Sequence, residues 1–152
     1  MRKRYSLILW ALIFTVSLIG CSLSSVDQFF DYVAAGDYEK ASEFVAFYDE
    51  YTDVGLEEHT EEEAKFIWIK RMNDLEEQGI YLESYQDLEL YRDDGYPHGN
   101  VELVIAADDE KTKYEVRLYL IPQDSVKVAG LILPEPDSVL EQFADVISGK
   151  ID

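Results

Sequence analysis

Residues 64–90 read AKFIWIKRMNDLEEQGIYLESYQDLEL, and the hydrophobic period changes inside this stretch. Up to Gly79, the residues Ala64, Ile67, Trp68, Met72 and Leu75 recur at helical spacing and form one apolar stripe. Thr60 and Glu63 make a capping box that opens this helix, which runs through Gln78. Gly79 ends it, because glycine accepts the left-handed conformation that closes a helix. From Ile80 the pattern alternates, so the chain passes from helix to strand. Ile80, Leu82, Leu88 and Leu90 share one face of this strand; Tyr81, Glu83, Tyr85, Asp87, Glu89 and Tyr91 share the other. Ser84 and Gln86 interrupt the apolar face, and a bulge near Gln86 is the simplest account.

Working towards the amino terminus, Ser25 with Gln28 resembles a capping box for a helix carrying Val26, Phe29, Phe30 and Val33, stopped by Gly36. Asp37 caps a second predicted helix, on which Tyr38, Ala41, Val45 and Tyr48 share a face. From Asp49 to Glu63 the chain carries eight acids and no Lys or Arg, and its first part reads as a loop.

Working towards the carboxy terminus, Asp93-Asp94-Gly95 and Pro97-His98-Gly99 are turn chemistry. A second strand directs Val101, Leu103 and Ile105 inward, and Asp108–Lys111 form a hairpin loop. A third strand places Tyr114, Val116, Leu118 and Leu120 inward, opposite Glu115, Arg117 and Tyr119. A fourth, Ser125 to Leu133, directs Val126, Val128 and Ile132 inward and ends at Pro134 and Pro136. Ser138 with Glu141 caps a final helix bearing Val139, Leu140, Phe143, Val146 and Ile147. Helices followed by antiparallel strands define an α+β fold: a curved four-stranded sheet wrapped around the long Trp68 helix, plus a carboxy-terminal helix.

The first residues add an address. Arg2, Lys3 and Arg4 precede an apolar run from Leu7 to Ile19. Spanning a bilayer takes roughly 20 apolar residues, so this run fits a signal peptide better than an uncleaved anchor. Leu18-Ile19-Gly20-Cys21 resembles the lipobox of bacterial lipoproteins, with Ile19 a less usual choice at its place. That resemblance implies cleavage before Cys21 and a diacylglycerol on its thiol; a free thiol after ordinary cleavage is the alternative. Cys21 is the chain's one cysteine, so no disulfide can form within it. The expected organisation is a cleaved segment 1–20, a tether 21–25 and one domain over 26–149. The tether's five residues reach roughly 17 Å at about 3.4 Å each.

Removing residues 1–20 leaves 132 residues, enough for one core. Losing Arg2, Lys3 and Arg4 takes the formal charge from -19 to -22. Phosphate contacts by Lys and Arg dominate nucleic-acid binding, so so acidic a chain is not expected to bind nucleic acid. Anionic headgroups should repel it too, which leaves membrane attachment to the lipid.

Residues 29–41, FFDYVAAGDYEKA, and the Gly79-to-Tyr85 entry into the sheet resemble the cystatin-like, nuclear-transport-factor-2-like cone found in small bacterial lipoproteins. The resemblance covers about residues 25–133, and the carboxy-terminal helix departs from it. It implies a fold shared by isomerases, dehydratases, transport factors and non-catalytic modules, so activity must be argued from the site.

Catalysis of the isomerase kind needs an acid or a Tyr–Asp pair inside the cone, where burial raises a carboxyl pKa. The inward strand positions named above are apolar apart from Tyr114, so no catalytic residue is assigned. His59 and His98, with no second histidine near either, read as solvated loop residues, and no metal site is assigned. An EF-hand loop begun at Asp49 puts Tyr51 and Val54 where an oxygen ligand and a glycine are required, so it fails. Weak calcium binding at Asp93-Asp94 or Asp108-Asp109-Glu110 stays open. No glycine-rich phosphate loop and no Gly-x-Ser-x-Gly elbow occurs, and no cofactor is expected.

What remains is surface recognition. Tyr81, Tyr85, Tyr91 and Tyr119 lie between charges on the sheet's other face, and tyrosine suits an interface that stays partly wet. The competing expectation for that face is cover by the Phe143 stripe of the last helix. The sequence therefore reads as a lipid-anchored bacterial lipoprotein on the extracytoplasmic face of the membrane. Its domain would bind a protein, a peptide or a second copy without catalysis. The alternatives are a small-ligand or isomerase/dehydratase-type site in the cone, and an acidic calcium-binding surface.

Overall fold

The computed structural model describes residues 24–49, 55–135 and 137–151. In chain order it has helices α1 (Ser24–Ala34) and α2 (Tyr38–Ser42), strand β1 (Tyr48–Asp49), helix α3 (Glu61–Glu77), strands β2 (Tyr81–Asp93), β3 (Tyr96–Ala107), β4 (Glu110–Pro122) and β5 (Val126–Ile132), helix α4 (Ser138–Ile147) and strand β6 (Lys150–Ile151). The fold is α+β: four helices and an open antiparallel sheet in the order β2-β3-β4-β5, with a separate parallel pair β1-β6. Residues 1–20, expected to be a cleaved signal segment, Cys21 and the stretch 50–54 lie outside the described residues.

The long helix forms as the sequence predicts. Thr60 Oγ1 accepts from Glu63 N and the Glu63 carboxylate accepts from Thr60 N at 2.8 Å, closing the capping box. Gly36 and Gly79 adopt φ of 70° and 83° at the two helix ends where a left-handed residue is needed. Trp68, Met72 and Leu75 of α3 join Phe29, Phe30, Phe143 and Ile147 in one core with the inner sheet residues Leu82, Val101, Leu103, Ile105, Val116 and Leu118. Burying each large apolar side chain contributes about 1.5–3 kcal/mol, the main stabilising term.

Seven local expectations are corrected. The second helix stops at Ser42 instead of reaching Tyr48, because Phe44–Ala46 leave it to pair with β5. Ala46 N donates to Val128 O at 2.8 Å and Val128 N to Phe44 O at 2.9 Å. Tertiary pairing outweighs local helix preference there. Ser25 is no cap: helix α1 already includes Ser24, and Ser25 Oγ donates to Val126 O at 2.7 Å. Asp137, not Ser138, caps α4, accepting from Val139 N and Leu140 N.

Pro97-His98-Gly99 is strand, not turn. Pro97 lies beyond the end of the β3–β4 ladder at His98–Tyr119, where a missing donor leaves no bond unmade. In β2, register shifts at Leu82/Ser84 and Gln86/Glu89 confirm the bulge expected near Gln86. They also turn Tyr85 inward, opposite Leu103. A further shift at Tyr119/Leu120 turns Ile132 outward, 46% exposed, and Leu131 inward. Lastly, β6 lies past residue 149, where the domain was expected to end.

Candidate interaction surface

The sheet's outer face is built by the ladder registers. Across β2, β3 and β4 the facing rows are Tyr91–His98–Tyr119, Glu89–Asn100–Arg117, Gln86–Glu102–Glu115 and Tyr81–Ala106–Lys111. Its charges are mixed and partly paired: Lys113 Nζ lies 2.7 Å from Glu102 and Lys111 Nζ 2.5 Å from Glu83. The Lys113 ammonium, helped by Gln86, holds the Glu102 carboxyl below the usual carboxylate range. A shallow depression of about 400 Å³ lies over the middle rows, beside Glu89, Asn100 and Arg117.

Three of the four predicted tyrosines lie on this face: Tyr81, Tyr91 and Tyr119 are 37%, 42% and 38% exposed. They do not form one cluster. Tyr91 and Tyr119 flank His98 at one end, and Tyr81 is at the other. Tyr91 stacks on His98 with centroids 5.6 Å apart, so this histidine is a ring partner in a strand rather than a solvated loop residue. Tyr85 does not belong to the surface. Its ring packs 5.2 Å from Phe30 and its hydroxyl donates to Asp31 Oδ1 at 2.8 Å. Burial and the two nearby carboxylates push that hydroxyl's pKa up.

The last helix does not cover the face. Phe143 and Ile147 are buried in the core on the sheet's inner side, with Trp68 Nε1 donating to Ile147 O at 3.1 Å. The interior there is apolar; Tyr114 directs its hydroxyl to Asp137 Oδ1, at 3.0 Å.

Sequence reasoning missed one polar centre. Asp49, 3% exposed, is the only buried charged residue among those described. Its carboxylate accepts from Glu57 N and from Glu58 N at 2.8 Å, and its Oδ1 lies 3.2 Å from His59 Nδ1. His59 is thus held by an acid and is not a free loop side chain. No sequence pattern marks the pair, since Asp49 is one of eight acids in its stretch. The bonds from Glu58 N and Glu57 N hold the Asp49 carboxyl below its ordinary 3.8. A depressed carboxyl pKa stabilises the fold above the ordinary value and loses that stabilisation as pH falls through the folded value. The urea midpoints of wild type and Asp49→Asn should therefore converge as pH drops below 3.8. A gap unchanged down to acid unfolding would show that the Asp49 charge is not what holds the turn.

Among the described residues, no group of three or more His, Cys, Asp or Glu is placed to hold a metal ion. At the hairpin ends, Asp94, Asp108 and Asp109 adopt positive φ in tight turns. Among the described residues, no helix is long and apolar enough to cross a membrane.

The fold and surface together define a class, an α+β domain with an apolar core on one side of its sheet and a tyrosine-bearing polar face on the other. Beyond that class, no protein-family model, no curated protein and no solved structure matches the chain.

Proposed function

We propose that the chain is a bacterial lipoprotein, anchored through Cys21 on the extracytoplasmic face of the membrane, whose domain acts as a non-catalytic binding module. The observation that carries the binding part is the outer face, which no described helix covers: the α4 stripe is spent on the inner side, and Tyr91, His98 and Tyr119 form a partly exposed row. The anchoring part rests on Leu18-Ile19-Gly20-Cys21 behind a basic and apolar leader. The same reading takes the domain as a cystatin-like, nuclear-transport-factor-2-like cone. The Gly36-Asp37-Tyr38 link between α1 and α2, the all-antiparallel sheet and the buried Trp68 support it.

Attachment is tested by metabolic labelling with a clickable fatty acid. Wild type should take up label and move to the membrane fraction, and Cys21→Ala should lose both. Equal labelling of the two chains would overturn the anchor.

A further inference from the structure

Strand β5 ends the four-stranded sheet, and its outer edge is used in two ways. Along its first half, Phe44–Ala46 run beside it as a parallel partner through the bonds to Val128. Gly149 N then closes Ala129 O at 2.9 Å. Beyond that point, no described backbone group outside the sheet hydrogen-bonds to residues 130–133. There the surface opens into a groove of about 330 Å³ between β5 and α4.

All four residues 130–133 border this groove. Successive residues of an extended strand point to opposite faces. A groove bordered by four in a row is therefore bordered by their main chain. One wall is the ring pair Tyr48 and Tyr119, 6.5 Å apart at 77°. Ile132 adds exposed apolar surface. The α4 wall presents Glu141 and Asp145, four residues apart on one helix face and, among the described residues, without an ion-pair partner. Among the described residues, no Lys or Arg lines the groove.

We propose that this groove takes an extended peptide segment of another protein as an added strand on β5, and selects one bearing Lys or Arg. The proposal rests on the binding-module reading and adds to the outer face a second site, which meets it at Tyr119, with its partner. Main-chain donors and acceptors of the edge supply affinity in strand addition, and flanking pockets supply selectivity. Here the tyrosine pair and Ile132 receive apolar side chains, and Glu141 and Asp145 receive the cations. Charge argues against the other occupants. A second copy of a chain with formal charge -19 brings more carboxylates to an acidic wall, and anionic lipid headgroups do the same.

The test uses the full chain purified from membranes in neutral detergent, with fluorescein-labelled probes read by anisotropy. The probes are an acetylated lysine–valine alternating hexapeptide, its glutamate–valine counterpart, and lysine–valine peptides N-methylated on alternate amides in either register. The unmodified lysine probe should bind. Methylation in one register should weaken it by about tenfold or more, because those amides no longer reach the edge. Glu141→Lys with Asp145→Lys, both at exposed positions, should weaken the lysine probe about tenfold and admit the glutamate probe. The proposal is overturned if the lysine probe fails to bind, if both methylated probes bind equally well, or if the double substitution changes nothing. A chain that carries its fatty acid but binds no probe keeps the anchor and loses the groove, so the two failures are separable.

Discussion

Trp68→Ala is expected to cost the protein most of its stability. The side chain is fully buried, with the Phe29 ring 6.3 Å and the Tyr38 ring 6.4 Å away. Truncating a buried Trp to Ala costs about 3–5 kcal/mol, through lost transfer energy and the cavity left behind. Here a second loss follows. Trp68 Nε1 donates to Ile147 O, so the variant also strips the carboxy-terminal end of α4 of a bond, worth about 1 kcal/mol net and more if water cannot replace it. The sum, about 4–6 kcal/mol, matches the lower end of the stability of an ordinary domain, about 5–15 kcal/mol. Urea unfolding followed by circular dichroism should give a collapsed or absent transition for Trp68→Ala. Trp68→Phe, which keeps most of the volume, should retain a cooperative transition at a lower midpoint. A Trp68→Ala midpoint matching wild type would mean that α3 is not the centre of the core.

The second large effect is expected from a much smaller change. A methyl group on Gly149 would sit 1.9 Å from Ala46 O and 2.8 Å from Ala46 C. Both are backbone atoms, and that backbone has little freedom to move. Ala46 N is bonded to Val128 O, Tyr48 N to Gly149 O and Gly149 N to Ala129 O. Three chain segments converge on this glycine, and a side chain separates them. Gly149→Ala should cost about 3 kcal/mol or more, the upper end for overpacking, and loosen β1 and β6 together. Gly130→Ala is the matched control. Its new methyl would meet Ser148 Oγ at 3.6 Å, an ordinary contact, and its midpoint should stay near wild type. Equal midpoints for the two variants would refute the clash.

The elements that the sequence announces correctly are those whose signals are local. Thr60, Glu63 and Gly79 bracket α3 because capping and left-handed closure involve neighbours in the chain. The inward sets of β3 and of β4 as far as Leu120 follow from alternation for the same reason. Errors arise where a distant partner decides. Val45 and Tyr48 fit a helix face, yet Val128 and Gly149 recruit their segment into extended pairing. Tyr85 and Ile132 change faces at bulges, and sequence shows that a bulge is near without fixing which residue it absorbs. Asp137 and Ser138 are both good cap residues side by side, so only the local backbone separates them. The tyrosine surface was legible in type but not in membership. The Asp49–His59 pair and the β5 groove were not legible, because each joins stretches that meet only after folding.

The order in which the fold is completed follows from its carboxy terminus. Phe143 and Ile147 plug the core, Ile147 O receives Trp68, Arg71 donates to Ser148 O and Lys150 O, and β6 supplies the partner of β1. Every one of these contacts waits for residues 143–151, which synthesis from the amino terminus adds after the other described elements. Until residues 143–151 emerge, Trp68 lacks Phe143, Ile147 and its bond to Ile147 O, and β1 lacks its ladder partner β6. Residues 143–151 therefore close a core whose other walls, α1, α3 and the four-stranded sheet, precede them in the chain.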